Sequence, residues 1–129
     1  MLHGIKSENL PIVWEEVKPF IEEALTLDDG RWTLESIYKS IQEKDRQLWV
    51  SLDMGVKAVG ITEIINYPGK KVCNIFLGSG DMNYMVPHMN EIKAWAKSQG
   101  CTTIEIHGRE GWQRIFGWKR AGVILRQEI

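Results

Sequence analysis

Two β-branched runs, residues 56–65 and 71–77, carry apolar side chains on both of their faces. A strand of that kind needs cover on both sides of its sheet, which points to a layered α/β fold. The chain carries the helices to supply that cover. Leu10, Val13, Trp14, Val17, Phe20, Ile21, Ala24 and Leu25 recur at three- and four-residue spacing and make one apolar face. Pro11 suits a first helical turn, whereas Pro19 removes a backbone donor and is expected to kink or divide the helix. Thr33 is placed to cap a second helix with the stripe Leu34, Ile37, Tyr38 and Ile41.

A short apolar run, residues 47–52, precedes the two long ones, and Asn66-Tyr67-Pro68-Gly69-Lys70 reads as a hairpin turn between those two. After Gly78-Ser79-Gly80, the residues Met82, Met85, Val86, Met89, Ile92 and Ala96 form a helical stripe that stops at Gly100. Pro87 leaves two starts open: a kinked helix capped by Asp81, or a regular helix from about Pro87. Residues 102–107 read as a strand, 110–118 as a short helix and 123–128 as a last strand. The expected order is α-α-β-β-β-α-β-α-β, with 71–77 and 102–107 as parallel neighbours joined by the long helix. Val59, Ile61, Ile75, Leu77, Met89, Ile92, Ile104 and Ile106 are expected in the core.

At 129 residues the chain is the size of one domain, so residues 1–129 are expected to share a single core. A formal net charge of −1 argues against sequence-independent nucleic-acid binding, which needs a basic footprint. Cys73 and Cys101 lie in strand-like runs without metal or redox spacing and read as reduced, buried thiols. His3 and His88 have no second ligand at metal spacing, so no metal site is assigned. No stretch reaches the ~20 apolar residues of a membrane span. A cytoplasmic protein that uses neither membrane nor nucleic acid is expected.

The segment "GSGDMNYMVPHMNEIKAWAKSQGCTTIEIHGREGWQRIFGWKRAGV" carries a resemblance. With the order of elements around it, it resembles the GNAT N-acetyltransferase superfamily, and most nearly the short GNAT-like proteins of tailed bacteriophages. The resemblance implies a three-layer α/β fold, a mixed twisted sheet with helices on both faces. It implies acetyl-CoA as cofactor, held where strands 71–77 and 102–107 splay apart, and an amine acceptor that attacks the thioester directly. A general base takes the amine's proton and a backbone donor at the splay stabilises the oxyanion. The pyrophosphate is expected on backbone N–H groups at the following helix start. The residues this brings to the cofactor are Phe76, Leu77, Gly78, Ser79, Gly80, Asn83 and Arg109.

The phosphate loop of that family reads R/Q-x-x-G-x-G/A. Here the corresponding stretch, Leu77-Gly78-Ser79-Gly80-Asp81-Met82-Asn83, is shorter, lacks the leading Arg or Gln, and puts a carboxylate where phosphates would lie. The family's proton-donating Tyr on the penultimate helix has no counterpart; Phe116 and Trp118 stand there instead. Two residues are candidate bases. Glu63 shares strand parity with Val59, Ile61 and Ile65, and a carboxylate on an apolar face can take that role. His107 ends its strand beside Gly108-Arg109, where substrate would meet cofactor, and an imidazole can shuttle protons. Plain readings compete with both: a solvated or lysine-paired Glu, and a His that bonds the turn after it. Arg109, Arg114, Lys119 and Arg120 could hold CoA phosphates or form a solvated helix face. Trp112 and Phe116 read as anchors against the sheet. Six tryptophans also leave room for protein partners through exposed Trp. Three readings therefore stay open: acetyl-CoA-dependent N-acetyltransferase; a catalytically silent phage protein with a virion, assembly or host-interaction role; and, between them, acyl-CoA binding without transfer.

Overall fold

The computed structural model describes residues 1–108 and 110–129, residue 110 by its backbone alone. Five strands make one sheet: β1 (Leu2–Ile5), β2 (Arg46–Leu52), β3 (Val56–Asn66), β4 (Lys71–Gly80) and β5 (Thr103–Ile106), in that spatial order. Neighbours are antiparallel except β4 and β5, which are parallel, as the sequence led us to expect. The β3–β4 hairpin closes with Tyr67 N–H donating to the Lys70 carbonyl at 2.9 Å. Helices α1 (Leu10–Leu25) and α2 (Leu34–Gln42) cover one face. There Leu10, Val17, Ile21, Ile37 and Ile41 bury against Leu48, Val50, Val59, Ile61 and Leu77. The other face takes α3 (Met89–Ser98) and α4 (Glu110–Phe116). Met85, Met89 and Ile92 bury there against Trp49, Ala58 and Ile75, with Phe116 packed beside them. The three layers follow from strands that are apolar on both sides.

Local chemistry explains the helix ends. Thr33 Oγ1 accepts from Ser36 N–H at 3.1 Å while Ser36 Oγ accepts from Thr33 N–H at 2.9 Å, a reciprocal cap for α2. Pro19 does not divide α1. It lies on the exposed side of the helix together with Glu15, so the carbonyl it leaves unbonded faces water, while Val17 and Ile21 are buried. Residues 82–88 form two 3₁₀ turns and the regular helix starts at Met89, so the later of the two expected starts is the observed one.

Three expectations are corrected. The chain opens with a strand, β1, whose four residues are too few to show a period; it is held by pairing with residues 48–51. Residues 123–128 are not a strand: Val123, Ile124 and Leu125 are exposed. This tail is tied down by Arg126, whose Nη2 lies 3.3 Å from Asp29 Oδ2. Finally, Gly78-Ser79-Gly80 is not a turn after β4 but its last three residues, paired with Gly60, Val59 and Ala58. Backbone pairing along the whole length of β3 outweighs the weak strand propensity of glycine.

Of the eight expected core residues, Val59, Ile61, Ile75, Leu77, Met89 and Ile92 are buried. Ile104 and Ile106 are half-buried, because β5 is a four-residue edge strand. Ile92→Ala should therefore cost about 2–5 kcal/mol and Ile104→Ala only about 1–2 kcal/mol, measured by urea unfolding.

Both thiols are buried and free. Burial, and secondarily the neighbouring Cys101, push the Cys73 thiol up to about 12, while burial also raises Cys101 against an opposing pull from Lys71. In the unfolded chain the thiols ionise near their ordinary value of 9.0. Above that pH the unfolded state binds fewer protons than the native one, so stability must fall as pH rises from there toward 12. Urea midpoints at about pH 8 and about pH 10.5 should show the loss, and Cys73→Ser should reduce it.

Candidate active site

β4 and β5 pair only from Val72–Thr103 to Ile75–Ile106. Beyond that level β5 ends while β4 runs on to Gly80, so one flank of β4 opens. The opening coincides with a β-bulge: Ile61 pairs with Leu77 and Thr62 with Ile75, leaving Phe76 as the extra residue. A bulge takes its extra residue out of the ladder and bends the strand. Phe76 is thus the place where a backbone donor can serve something other than the sheet.

On the α3 face the opening is floored by two paired glycines, Gly60 and Gly78. The shallow trough they leave is filled. A Cβ on Gly78 would lie 3.3 Å from Trp112 Cη2 and 3.8 Å from Met82 Sδ; one on Gly60 would lie 3.5 Å from Met85 Cε. Trp112 stacks on Phe116 at 5.6 Å, and Phe116 on Trp118 at 4.7 Å. The cavity left beneath them, lined by Gly78, Met82, Met85, Ile106, Trp112 and Phe116, measures about 20 Å³. That is room for about one water. Anything larger can enter this opening only if Trp112 moves off Gly78.

The residues expected at the cofactor are spread around this opening. Phe76 is half-buried on the bulge. Leu77 is buried in the α1 core, and Ser79 is buried opposite Val59. Gly78 lies under Trp112, and Gly80 ends the strand with φ +93°. Asn83 is exposed, and its N–H is already engaged, donating to Asp81 Oδ1 at 3.0 Å. Arg109 lies outside the described residues. The Asp81 carboxylate, read from the sequence as a repulsive charge, caps the first 3₁₀ turn.

The opposite face holds the two candidate bases. Glu63 is engaged twice: Arg46 Nε donates to its Oε2 at 3.0 Å, and Asn74 Nδ2 to its Oε1 at 3.1 Å. Arg46 is buried and also donates to Ser40 Oγ at 3.2 Å. Its guanidinium carbon sits 4.3 Å from the Trp32 ring centre and 3.8 Å from that of Phe76, a cationic group seated in an aromatic corner. His107 is exposed, and its Nε2 lies 3.6 Å from Glu105 Oε1 on the same strand face. Arg46, Asn74 and Glu105 were not among the sequence candidates. Arg46 had one signal: it shares parity with Leu48 and Val50, and a cation on that face needs a partner. Trp32 is the one tryptophan on the exposed surface among the described residues, and its ring packs on Arg46 and Phe76. Among the described residues no three His, Cys, Asp or Glu side chains come together as metal ligands, and no helix is long and apolar enough to cross a membrane.

No family model matches the chain, and no curated protein is similar to it in sequence. Solved structures are similar to it in fold. An aminoglycoside acetyltransferase from an uncultured soil metagenomic sample, crystallised with sisomicin, is similar over 100% of this chain and 95% of its own, with TM-score 0.72 and 10% identity. A ribosomal-protein-alanine N-acetyltransferase from Brucella melitensis aligns over 98% of this chain and 99% of its own, with TM-score 0.67 and 8% identity. A GNAT family acetyltransferase from Staphylococcus aureus aligns over 100% and 98%, with TM-score 0.65 and 6% identity.

Proposed function

We propose that this chain, which has the fold of the GNAT acetyltransferases, is an N-acyltransferase that moves an acetyl group from acetyl-CoA to an amine. The observation that carries the reading is the parting of β4 from β5 at Ile75–Ile106, at the level of the Phe76 bulge. A parted pair of parallel strands at their carboxyl ends is where open α/β sheets take ligands. In this reading the thioester carbonyl lies at Phe76, whose backbone N–H receives the developing oxyanion. The amine comes from the face of Glu63 and His107. Its nitrogen attacks the carbonyl carbon, the C–S bond breaks, and the products are the amide and the CoA thiol. A base removes the proton that the attacking nitrogen must lose.

His107 suits that role, being open to solvent with Glu105 beside it to orient the ring. Glu63 is the other candidate, with each oxygen already holding a donor. With no tyrosine on α4, the departing thiolate takes its proton from water or leaves as the anion, which a thiol pKa of about 8.5 tolerates. Gly78 lies on the path on which the cofactor's pantetheine would run, once Trp112 has swung out. One observation favours the second reading, a catalytically silent phage protein: Trp112 occupies that path. Release of CoA thiol from acetyl-CoA with a panel of primary amines decides between them. Amine-dependent release supports the enzyme; none with any amine supports the silent scaffold.

A further inference from the structure

Four polar residues form one row across the sheet. Arg46 on β2 pairs with Glu63 on β3, Glu63 with Asn74 on β4, and Asn74 with Glu105 on β5. Directly paired residues share a face, so all four side chains stand on the side of α1 and α2. The row has two carboxylates and one cation, and the cation is committed to Glu63. Among the described residues Glu105 has one ion-pair partner, His107 at 3.6 Å, and it is 34% exposed.

Between the carboxylates lies an anomaly. Asn74 is 8% exposed, its Nδ2 donates to Glu63 Oε1 at 3.1 Å, and its buried Oδ1 has no hydrogen-bond partner among the described residues. Flipping the amide does not repair this, because Oδ1 would then face the Glu63 carboxylate, acceptor against acceptor. With the amide nitrogen turned to β3, its oxygen is turned away from Glu63, on the side where β5 carries Glu105. Between Asn74 and Glu105 this leaves two acceptors, the Asn74 oxygen and a carboxylate whose one partner among the described residues is His107. A buried acceptor is normally satisfied, so the missing group is a donor, and the charge asks for a cation.

We propose that this gap takes an alkylammonium group, and that the acceptor is a diamine or polyamine: one ammonium anchored between Asn74 Oδ1 and Glu105, the second amine presented at Phe76. The proposal rests on the acetyl-transfer reading for the second amine, but the anchor itself does not. The strand rise sets the spacing: two residues from Asn74 to Phe76 are roughly 7 Å, the span of about a five-carbon diamine. Entry requires the part-exposed Glu105 side chain to move aside.

The test uses 1,5-diaminopentane and the full chain labelled with ¹⁵N. Without acetyl-CoA, the diamine should shift the Asn74 side-chain amide, and Glu105→Gln should weaken that binding at least tenfold, on the rule that a charged partner makes the strong hydrogen bonds. With acetyl-CoA, the diamine should be acetylated once. An unmoved Asn74 amide, or equal affinity in Glu105→Gln, overturns the anchor. So does acetylation of a lysine peptide with none of the diamine. Acetyl-CoA turnover on other amines alongside an unmoved Asn74 overturns this inference and leaves the transferase reading standing. Diamine binding at Asn74 without acetyl-CoA binding does the reverse.

Discussion

Gly80→Ala should destabilise the protein by about 3–5 kcal/mol, read as a shift in the urea midpoint at unchanged slope. The cause is local and twofold. Gly80 has φ +93°, which a residue with a Cβ adopts only under strain. A Cβ there would also lie 2.5 Å from the Lys57 carbonyl oxygen and 2.9 Å from Ala58 Cα. Both are backbone atoms of β3, and that carbonyl already accepts from Asp81 N–H at 2.9 Å. Neither can move without breaking the ladder that holds the end of β4. Gly69 is the control: a Cβ there meets nothing within 4 Å, so Gly69→Ala should stay within about 0.5 kcal/mol. A loss below about 1 kcal/mol at Gly80 would mean that the strand end is not built as described.

His107→Gln should lower kcat for acetyl transfer by about 10²- to 10⁴-fold, with acetyl-CoA affinity unchanged. The glutamine keeps a polar side chain at the strand end but cannot accept and release a proton near neutrality. Glu63→Gln should behave differently, with less than about a tenfold loss of kcat, on the expectation that a base must have an accessible lone pair aimed at its substrate. Both Glu63 oxygens hold donors from Arg46 and Asn74. Its cost should appear in stability, about 1–3 kcal/mol, because a buried guanidinium loses its counter-charge. Steady-state kinetics and urea unfolding on the same two proteins separate these roles. Equal losses of kcat in both variants would mean that the two act as one unit; a loss only in Glu63→Gln would exchange the assignments.

The layers were legible because the patterns that make them are long. Apolar positions on both faces of 56–65 and 71–77 required a sheet covered on both sides, and the stripe that includes Met89, Ile92 and Ala96 supplied the crossover to a parallel neighbour. Thr33 showed as a cap because the stripe Leu34, Ile37, Tyr38 and Ile41 follows it directly, and Ser36 completes the cap in the structure. What stayed hidden depends on contacts distant in sequence. β1 is a strand only because residues 48–51 lie beside it. Gly78-Ser79-Gly80 reads as a turn until β3 pairs with it, and the glycines then serve Trp112 and the Lys57 carbonyl. Residues 123–128 have strand composition but no strand to pair with among the described residues. Glu63 and His107 were visible as chemistry, whereas Arg46, Asn74 and Glu105 acquire theirs only from register across four strands.

Acetyl transfer at this site requires that acetyl-CoA enter the parting of β4 and β5 and displace Trp112. Titrating acetyl-CoA into ¹⁵N-labelled protein tests that directly, because the indole N–H of Trp112 and the backbone amides of residues 76–80 report on the same small region. Saturable shifts are expected for the Trp112 indole and for the Phe76, Gly78 and Gly80 amides, with the residues of β1 unmoved. Spectra that do not change at millimolar acetyl-CoA, or shifts confined to residues away from this opening, would contradict it.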